Sequence, residues 1–266
     1  MTGKLIYLYF TPRHLEIGLE KMLNNLVANR KTAFYTGCFD DYYYPEVGKA
    51  TVRILRKNGV EVVVPDQVCC GLPMMAKGNT KGTSKNVKYN TRVLSQLVSD
   101  GYAIMTTCTS CGLFIKRDYP LLLASEKAKL VSDNTYHITE YLLLLHERGE
   151  LNTDFRPISQ TTFYHTPCHL RARENDDVTV RMLKLIPGIN IKHVSEVCCG
   201  LAGSYGYDKV NYKLSREIAS KLYSDIKENP TDRIVTDCGG CKLQIEAISG
   251  AEVDHPIILI QEAYGL

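Results

Sequence analysis

The chain has no tryptophan, no long apolar run and little net charge among its 266 residues. Its apolar runs, such as Leu142–Leu145 and Ile257–Ile260, fall far below the ~20 residues of a membrane-spanning helix. Lysine and arginine exceed aspartate and glutamate by 32 to 29, and a net charge of +3 is too small to predict nucleic-acid binding. With 44% hydrophobic and 23% charged residues, the composition is that of a globular protein and excludes disordered and collagen-like chains.

A signal peptide and a nucleotide-binding loop are also missing from the pattern. The apolar run Leu5–Phe10 has six residues, is followed by Pro12, and leads to no small-residue cleavage site. Gly78 and Gly82 lack the strand–turn–helix setting of a phosphate loop, and no flavin or nicotinamide fingerprint is present. We therefore expect a cytoplasmic protein, because clustered cysteines in a reducing compartment bind metal or perform redox chemistry.

The ten cysteines repeat with a constant spacing. They form two groups of five, namely Cys38, Cys69, Cys70, Cys108 and Cys111, then Cys168, Cys198, Cys199, Cys238 and Cys241. Subtracting the first group from the second gives offsets of 130, 129, 129, 130 and 130. Each group reads Cys, then Cys-Cys-Gly, then Cys-x-x-Cys, and Gly71-Leu72 recurs as Gly200-Leu201. This register indicates an internal duplication.

Strands and helices are predicted to alternate in both copies. Expected strands cover residues 33–37, 60–64, 102–106, 161–165, 189–194 and 233–236, and expected helices cover 45–58, 86–99, 176–186 and 212–226. The predicted fold is α/β, with two pseudo-symmetric repeats that each form a parallel sheet with crossover helices. We expect an N-terminal extension over residues 1–30, a first domain over 31–155 and a second over 156–266.

Each cysteine group directly follows a predicted strand. Because the carboxyl ends of parallel strands share one edge, the cysteines of each repeat are expected at that edge, with both edges facing a shared interface. Cys108 and Cys111 also lie where the next helix begins, and a helix N-terminus favours a thiolate over a thiol.

Three interpretations of the cysteines remain open from the residues alone. Zinc and a cubane iron–sulfur cluster each use four thiolates, whereas each group here offers five. A strained disulfide between adjacent cysteines would leave three residues of each group unexplained. We favour iron–sulfur binding. The less favoured interpretations are zinc in at least one half, and structural thiols or disulfides.

The sequence resembles the CCG-domain, or cysteine-rich-domain, proteins. The resemblance covers about residues 32–266 and rests on Phe34-Tyr35-Thr36-Gly37-Cys38, Tyr164-His165-Thr166-Pro167-Cys168-His169, the run Cys198 to Gly206, Thr236-Asp237-Cys238, Cys241 to Glu246, and His255-Pro256-Ile257. The family includes a subunit of heterodisulfide reductase, and this chain is most similar to the branch found in anaerobic glycerol-3-phosphate dehydrogenase.

The resemblance implies a non-cubane [4Fe-4S] cluster in each half, held by all ten cysteines as two sets of five. It also implies an electron-transfer subunit of a membrane-associated dehydrogenase complex, peripheral on the inner face of the cell membrane. Electrons would come from a flavoprotein subunit and pass toward a quinone or another acceptor. Two alternatives are a heterodisulfide reductase-like enzyme that cleaves a disulfide at its clusters, and an assembly module stabilised by zinc without redox work.

One departure from the family concerns the residues before Cys38. Longer relatives carry a ferredoxin-like part rich in Cys-x-x-Cys runs, but residues 1–30 contain no cysteine and only a predicted helix over Leu15–Leu26. We therefore expect a ferredoxin-like unit, where one is used, on another chain or outside this sequence.

Several other side chains have both a functional and a structural interpretation. His165 and His169 flank Cys168, where they either support the second cluster or only form ordinary hydrogen bonds. His255 is expected to start the last helix with Pro256 in its first turn. The remaining candidates are tyrosines that line a cleft or pack over the first cluster, and lysines that form a solvated face or a docking surface, namely Tyr42, Tyr43, Tyr44, Lys77, Lys81, Lys85 and Lys88.

Overall fold

The fold consists of two four-stranded parallel sheets with helices between their strands, in a computed structural model that describes residues 30–173 and 176–266. The first sheet contains β1 (Lys31–Tyr35), β2 (Glu61–Val63), β3 (Ala103–Thr106) and β4 (Thr135–His137). The second contains β5 (Thr161–His165), β6 (Asn190–Ser195), β7 (Arg233–Thr236) and β8 (Val253–Asp254). The strand orders β2-β1-β3-β4 and β6-β5-β7-β8 are equivalent, which confirms the predicted fold class.

The helices follow the same repeat. The first half contains α1 (Gly37–Tyr42), α2 (Pro45–Lys57), α3 (Leu72–Ala76), α4 (Thr80–Ser99), α5 (Thr109–Leu113), a π-helical turn (Phe114–Asp118), α6 (Tyr119–Leu123), α7 (Glu126–Asp133) and α8 (Ile138–Glu147). The second half contains α9 (Cys168–Arg171), α10 (Val178–Leu183), a 3₁₀ turn (Tyr205–Tyr207), α11 (Tyr212–Glu228), α12 (Gly239–Ser249) and α13 (Pro256–Ala263). None of these helices, within the described residues, is long and apolar enough to cross a membrane.

Most predicted elements are present, with shifts that local interactions explain. Strands β5 and β7 have their predicted bounds. Helix α4 starts six residues earlier than expected, because the Asn79 side chain accepts a hydrogen bond from the Gly82 amide and caps the helix there. Strands β4 and β8 were not predicted, since three and two residues are too few to show a periodicity. The predicted helix over Leu15–Leu26 lies outside the described residues.

The two halves share one hydrophobic core, because each half packs one of its helices against a helix of the other half. Helix α13 of the second half packs on α2 of the first, and α8 of the first half packs on α10 of the second. The shared core includes Phe34, Ile54, Leu55, Tyr136, Leu142, Tyr164, Met182, Leu183, Ile257 and Ile260. This packing brings together the cysteine-bearing ends of the two sheets.

Candidate metal centre

The five cysteines of the first half converge from three segments and form what we call the first set. Cys38 lies in α1 directly after β1, and Cys69 and Cys70 lie between β2 and α3. Cys108 is the N-cap of α5, and Cys111 lies within that helix, as predicted. The Sγ atoms of Cys70 and Cys111 are 3.4 Å apart. Cys38 is hydrogen-bonded to Cys69, which places all five thiols in one group.

The five cysteines of the second half form the second set in the same way. Cys168 begins α9 after β5, and Cys198 and Cys199 follow β6. Cys238 is the N-cap of α12, which contains Cys241. The Sγ atoms of Cys199 and Cys241 are 3.3 Å apart, nearly the same distance as in the first set. All ten cysteines are free thiols.

Glycines beside the cysteines allow the backbone to approach the sulfur atoms. Gly37 has a φ of +66°, and a Cβ added there would lie 3.3 Å from Sγ of Cys111. Gly200 has a φ of +82°, and a Cβ there would lie only 2.4 Å from the carbonyl oxygen of Ser215. The glycine of the second Cys-Cys-Gly motif is therefore required both by its backbone conformation and by the space around it.

Crowding of the thiols shifts their pKa values in opposite directions. Hydrogen bonds from Cys38 and Cys70 lower the pKa of Cys69, while the hydrogen bond to Cys69 raises the pKa of Cys38. In the second set, a hydrogen bond from Cys241 lowers the pKa of Cys238 to about 6. The hydrogen bond from Cys241 also lowers the pKa of Cys199, so the first set stabilises one thiolate and the second set stabilises two. Both sets oppose ionisation of the neighbouring thiols, because like charges close together repel. Complete ionisation of a set requires a bound cation.

The two sets differ in exposure. Cys168 and Cys198 are exposed, whereas their counterparts Cys38 and Cys69 are half-buried and so less accessible to solvent. The second set therefore has an edge open to solvent.

The two sets face each other across a seam, which we define by Phe39, His169, Ser110 and Gly239. The Phe39 ring, next to Cys38, lies against Gly239, where an added Cβ would stand 2.5 Å from Cγ of that ring. His169, next to Cys168, places Nδ1 2.9 Å from Oγ of Ser110 in the Cys-x-x-Cys turn of the first half. The predicted shared interface is therefore formed by direct contacts between residues beside the cysteines.

Beneath the seam lies a buried polar cluster that sequence reasoning did not identify. His137 and His255 approach the carbonyl oxygen of Thr107 with their Nε2 atoms, at 2.8 and 3.3 Å. Together with Asp237 they place potential metal-binding atoms within 4.8 Å of one another. Both imidazoles are engaged with a carbonyl oxygen, which requires an N–H donor, so we interpret the cluster as a hydrogen-bonded support for the Cys108 segment. The equivalence of the two histidines was hidden because their spacing is 118 residues rather than 130.

Two buried carboxyl groups stand beside the cysteine turns. Asp40 accepts a hydrogen bond from the Thr107 hydroxyl, and Asp237 accepts from Tyr164 and, at 2.8 Å, from Thr179. Burial raises the pKa of Asp40 and of Asp237 to about 7, against the opposing effect of these hydrogen bonds. Because these residues connect different elements, they hold the turns in place.

The candidate histidines have clear structural contacts. His165 is buried, and its ring nitrogens lie 3.0 Å from Thr236 Oγ1 and from the carbonyl oxygen of Val197, the residue before Cys198. Burial lowers the pKa of His165 to about 4. Nδ1 of His255 accepts a hydrogen bond from the Ile257 amide and caps α13, as predicted.

The tyrosines after Cys38 are divided between surface and seam. Tyr42 and Tyr43 are 81% and 62% exposed and do not fill the space between the sets. Phe39 and Tyr44 occupy that region, since both line the small cavity that also contains Cys108 and Cys238.

The lysine group is solvated. Lys77, Lys81, Lys85 and Lys88 are all exposed, and Lys77 pairs with Asp208 of the other half.

The donor set fits a thiolate-bound metal group. Each set presents only sulfur ligands, which suit zinc and iron–sulfur clusters and do not suit magnesium or calcium. Five sulfur atoms exceed the four that a tetrahedral zinc uses. In the first set hydrogen bonds link the thiols, and in the second set Cys199, Cys238 and Cys241 are in contact while Cys168 interacts electrostatically with Cys198, Cys199 and Cys238. The Thr109 hydroxyl, buried between Cys108 and Cys111, has no hydrogen-bond partner among the described residues and is available to a group bound there.

Comparison with known proteins agrees with the duplication. The profile of the cysteine-rich domain named CCG matches residues 32–116 and again residues 162–246, and each match contains one complete set.

Curated relatives align over most of this chain. It is 32% identical to the C subunit of anaerobic glycerol-3-phosphate dehydrogenase of Escherichia coli over 88% of this chain and 59% of that protein. It is also 32% identical to the B subunit of fumarate reductase (CoM/CoB) of Methanothermobacter marburgensis, over 88% of this chain and 46% of that protein. Identity to lactate utilization protein A of Bacillus licheniformis is 27%, over 81% of this chain and 90% of that protein. The chain thus spans about half the length of the first two relatives.

Proposed function

This chain belongs to the CCG cysteine-rich family, and on that premise we propose that it is an iron–sulfur electron-transfer subunit with one [4Fe-4S] cluster in each half. The observation that carries the proposal is the convergence of ten free thiols into two equivalent sets of five. Iron–sulfur clusters accept and release single electrons, which zinc does not. Five sulfur donors in each set support a non-cubane cluster, and zinc in one set is the competing assignment.

The residues around each set would control its redox properties. Backbone amides at the N-termini of α5 and α12 would stabilise negative charge at the cysteines there, and the hydrophobic surroundings limit access of water to the buried cysteines of each set. Direct contact across the seam places the two sets next to each other, so an electron delivered to one is close to the other. We propose that each set belongs to its own domain, over residues 31–155 and 156–266.

The names of the two 32%-identical relatives support a role within a complex. Both are subunits, one of a glycerol-3-phosphate dehydrogenase and one of a fumarate reductase. We propose that the donor is a flavoprotein dehydrogenase subunit, that a ferredoxin-like unit takes part, and that the acceptor is a quinone or another carrier. Association with the inner face of the cell membrane would then be peripheral.

A second candidate function is cleavage of a disulfide at the cysteine sites. The exposed edge at Cys168 and Cys198 favours it, because a sulfur substrate needs access to iron. Phe39 and Tyr44 at the cavity beside Cys108 and Cys238 leave little room for such a substrate between the sets, which favours electron transfer.

The experiment that tests the proposal compares the chain alone with the chain plus a flavoprotein glycerol-3-phosphate dehydrogenase subunit. After anaerobic loading with iron and sulfide, we expect substrate-dependent bleaching of the clusters only in the mixture. Dye reduction by the chain alone with glycerol 3-phosphate would contradict the proposal. Rapid reoxidation of the reduced protein by a heterodisulfide, lost in both Cys70→Ser and Cys199→Ser, would establish the second function.

A further inference from the structure

The seam contacts are equivalent in position and different in chemistry. Phe39 and His169 each follow the first cysteine of their set, 130 residues apart, and each reaches the Cys-x-x-Cys turn of the other half. The turn that Phe39 meets is Cys238-Gly239-Gly240-Cys241, which has no side chains between its cysteines. The turn that His169 meets carries Ser110 at the position equivalent to Gly240. One contact is therefore apolar and the other is polar.

The polar contact extends from Ser110 of the first half to Cys238 of the second half. Oγ of Ser110 lies 2.9 Å from Nδ1 of His169 and 4.0 Å from Sγ of Cys238. A serine hydroxyl has one proton to donate and can accept a second hydrogen bond. With Nδ1–H of His169 donating to Ser110, the hydroxyl proton of Ser110 is directed to Cys238.

We propose that Ser110, oriented by His169, donates a hydrogen bond from the first half to Cys238 and makes the second set the site of higher reduction potential. The inference rests on the proposed function, because it requires an iron–sulfur cluster in each half. Ser110 and His169 are positioning residues in this account, since neither is a ligand.

Two observations act in the same direction. A hydrogen bond to a ligating thiolate stabilises the more negative, reduced state of a cluster and raises its potential. Gly240, the counterpart of Ser110, has no side chain with which to return such a bond to Cys108. Independently, the exposed Cys168 and Cys198 allow solvent to stabilise added charge at the second set.

The order of the sites gives electron transfer a direction. An electron from the donor would first reduce the cluster held by the first set and would then pass to the cluster held by the second set, so that the first is reoxidised as the second is reduced by one electron. No bond is formed or broken in this step, and the Ser110 proton stays on its oxygen. The electron leaves to the acceptor at the exposed edge formed by Cys168 and Cys198.

The test is an anaerobic redox titration of the full chain, followed by electron paramagnetic resonance. Signals are assigned to the sites with Cys70→Ser and Cys199→Ser, which disrupt one set each. We expect the second set to be reduced at the higher potential. Ser110→Gly, which copies the second-half turn, should lower the potential of the second set, leave that of the first unchanged and narrow the gap between them.

Further variants separate the hydrogen bond from a general structural effect. Ser110→Thr retains the hydroxyl group and should retain the potential of the second set. Ser110→Ala removes the hydroxyl group and should lower that potential as Ser110→Gly does. If Ser110→Gly does not bind a cluster, Ser110→Ala alone tests the effect of the hydroxyl group. His169→Phe, which places phenylalanine where its counterpart Phe39 has it, should also lower the potential of the second set. Ser99→Ala removes a remote hydroxyl that donates to Ser95, and it should leave both potentials unchanged.

A spectroscopic signature completes the test. In heavy water, the second-set signal should include coupling to an exchangeable deuteron of Ser110, and this coupling should be lost in Ser110→Ala while coupling to backbone amides such as that of Gly200 remains. A lower potential at the second set of the wild-type protein, or potentials that do not move in Ser110→Ala, would overturn the inference while leaving the proposed function intact. Failure of the wild-type chain to bind iron and sulfide would overturn both.

Discussion

Arg173 of the second half forms an ion pair with Glu140 of the first, with 2.8 Å between Nη2 and Oε2. Only 6% and 13% of the two side chains are exposed. Glu140 also accepts a hydrogen bond from the backbone amide of His137, so the pair is connected to the buried cluster beneath the seam. The two halves are thus joined by a buried charge pair as well as by apolar packing.

Loss of this pair should destabilise the protein strongly. Arg173→Met leaves the Glu140 carboxylate buried without its partner, and we expect a loss of about 3–5 kcal/mol in the free energy of unfolding by urea. Adding Glu140→Gln removes the charge and should recover part of the loss. The control is Lys129→Met at the exposed Lys129–Asp133 pair, which should cost less than about 1 kcal/mol. Equal losses for the two single variants would contradict the account.

A second prediction concerns the turn after Cys199. Gly200→Ala should destabilise the chain by more than about 2 kcal/mol and abolish metal binding by the second set, because the positive φ and the contact with the Ser215 carbonyl oxygen both oppose a side chain. Gly203→Ala is the matched control, since Gly203 also has a positive φ of 63° but no atom near its Cβ position. It should cost about 1 kcal/mol and leave metal binding unchanged. Thermal unfolding and metal content together measure both effects.

Stability should also fall in acid because of His255. Burial lowers its pKa in the folded protein to about 4, below the value of 6.5 that it has when exposed. The unfolded chain therefore gains a proton on His255 below pH 6.5 while the folded chain does not, and folding loses stability from there down to about pH 4. His255→Asn, which can still cap α13, should reduce the loss between about pH 7 and pH 4.5 by about 2 kcal/mol, measured by urea unfolding of the metal-free protein. A pH dependence unchanged by this variant, or one reduced equally by His146→Asn, would show that His255 is not its cause.

The sequence predicted the architecture because the duplication imposes strong constraints. Ten cysteines in one register, each group behind a β-branched or apolar segment, placed both sets at the ends of parallel strands. Short elements were missed because tertiary contacts stabilise them and they are too short to show a periodic pattern. Strand β8, with its two residues, is an example.

The site itself was predicted only in part. Which residues gather was evident from the spacing, and a shared interface between the two cysteine edges was expected, but the side-chain contacts that form this interface were not. Phe39 and Ser110 had no sequence signal of their own. The role of Phe39 depends on contact with Gly239, 200 positions away, and that of Ser110 depends on contact with His169, 59 positions away. Tyr42 and Tyr43 illustrate the converse, since aromatic residues beside a cysteine suggested a lining role, yet their side chains are exposed.

The central claim is that each half binds its own iron–sulfur cluster through its own set. The most direct measurement is iron and acid-labile sulfide per chain after anaerobic purification, for the wild-type protein and for variants with Cys69→Ser and Cys70→Ser, or with Cys198→Ser and Cys199→Ser. We predict about eight irons and a corresponding amount of sulfide in the wild type, and about half of each in either double variant. A colourless protein that contains only zinc, or complete loss of iron on changing one half alone, would contradict the claim.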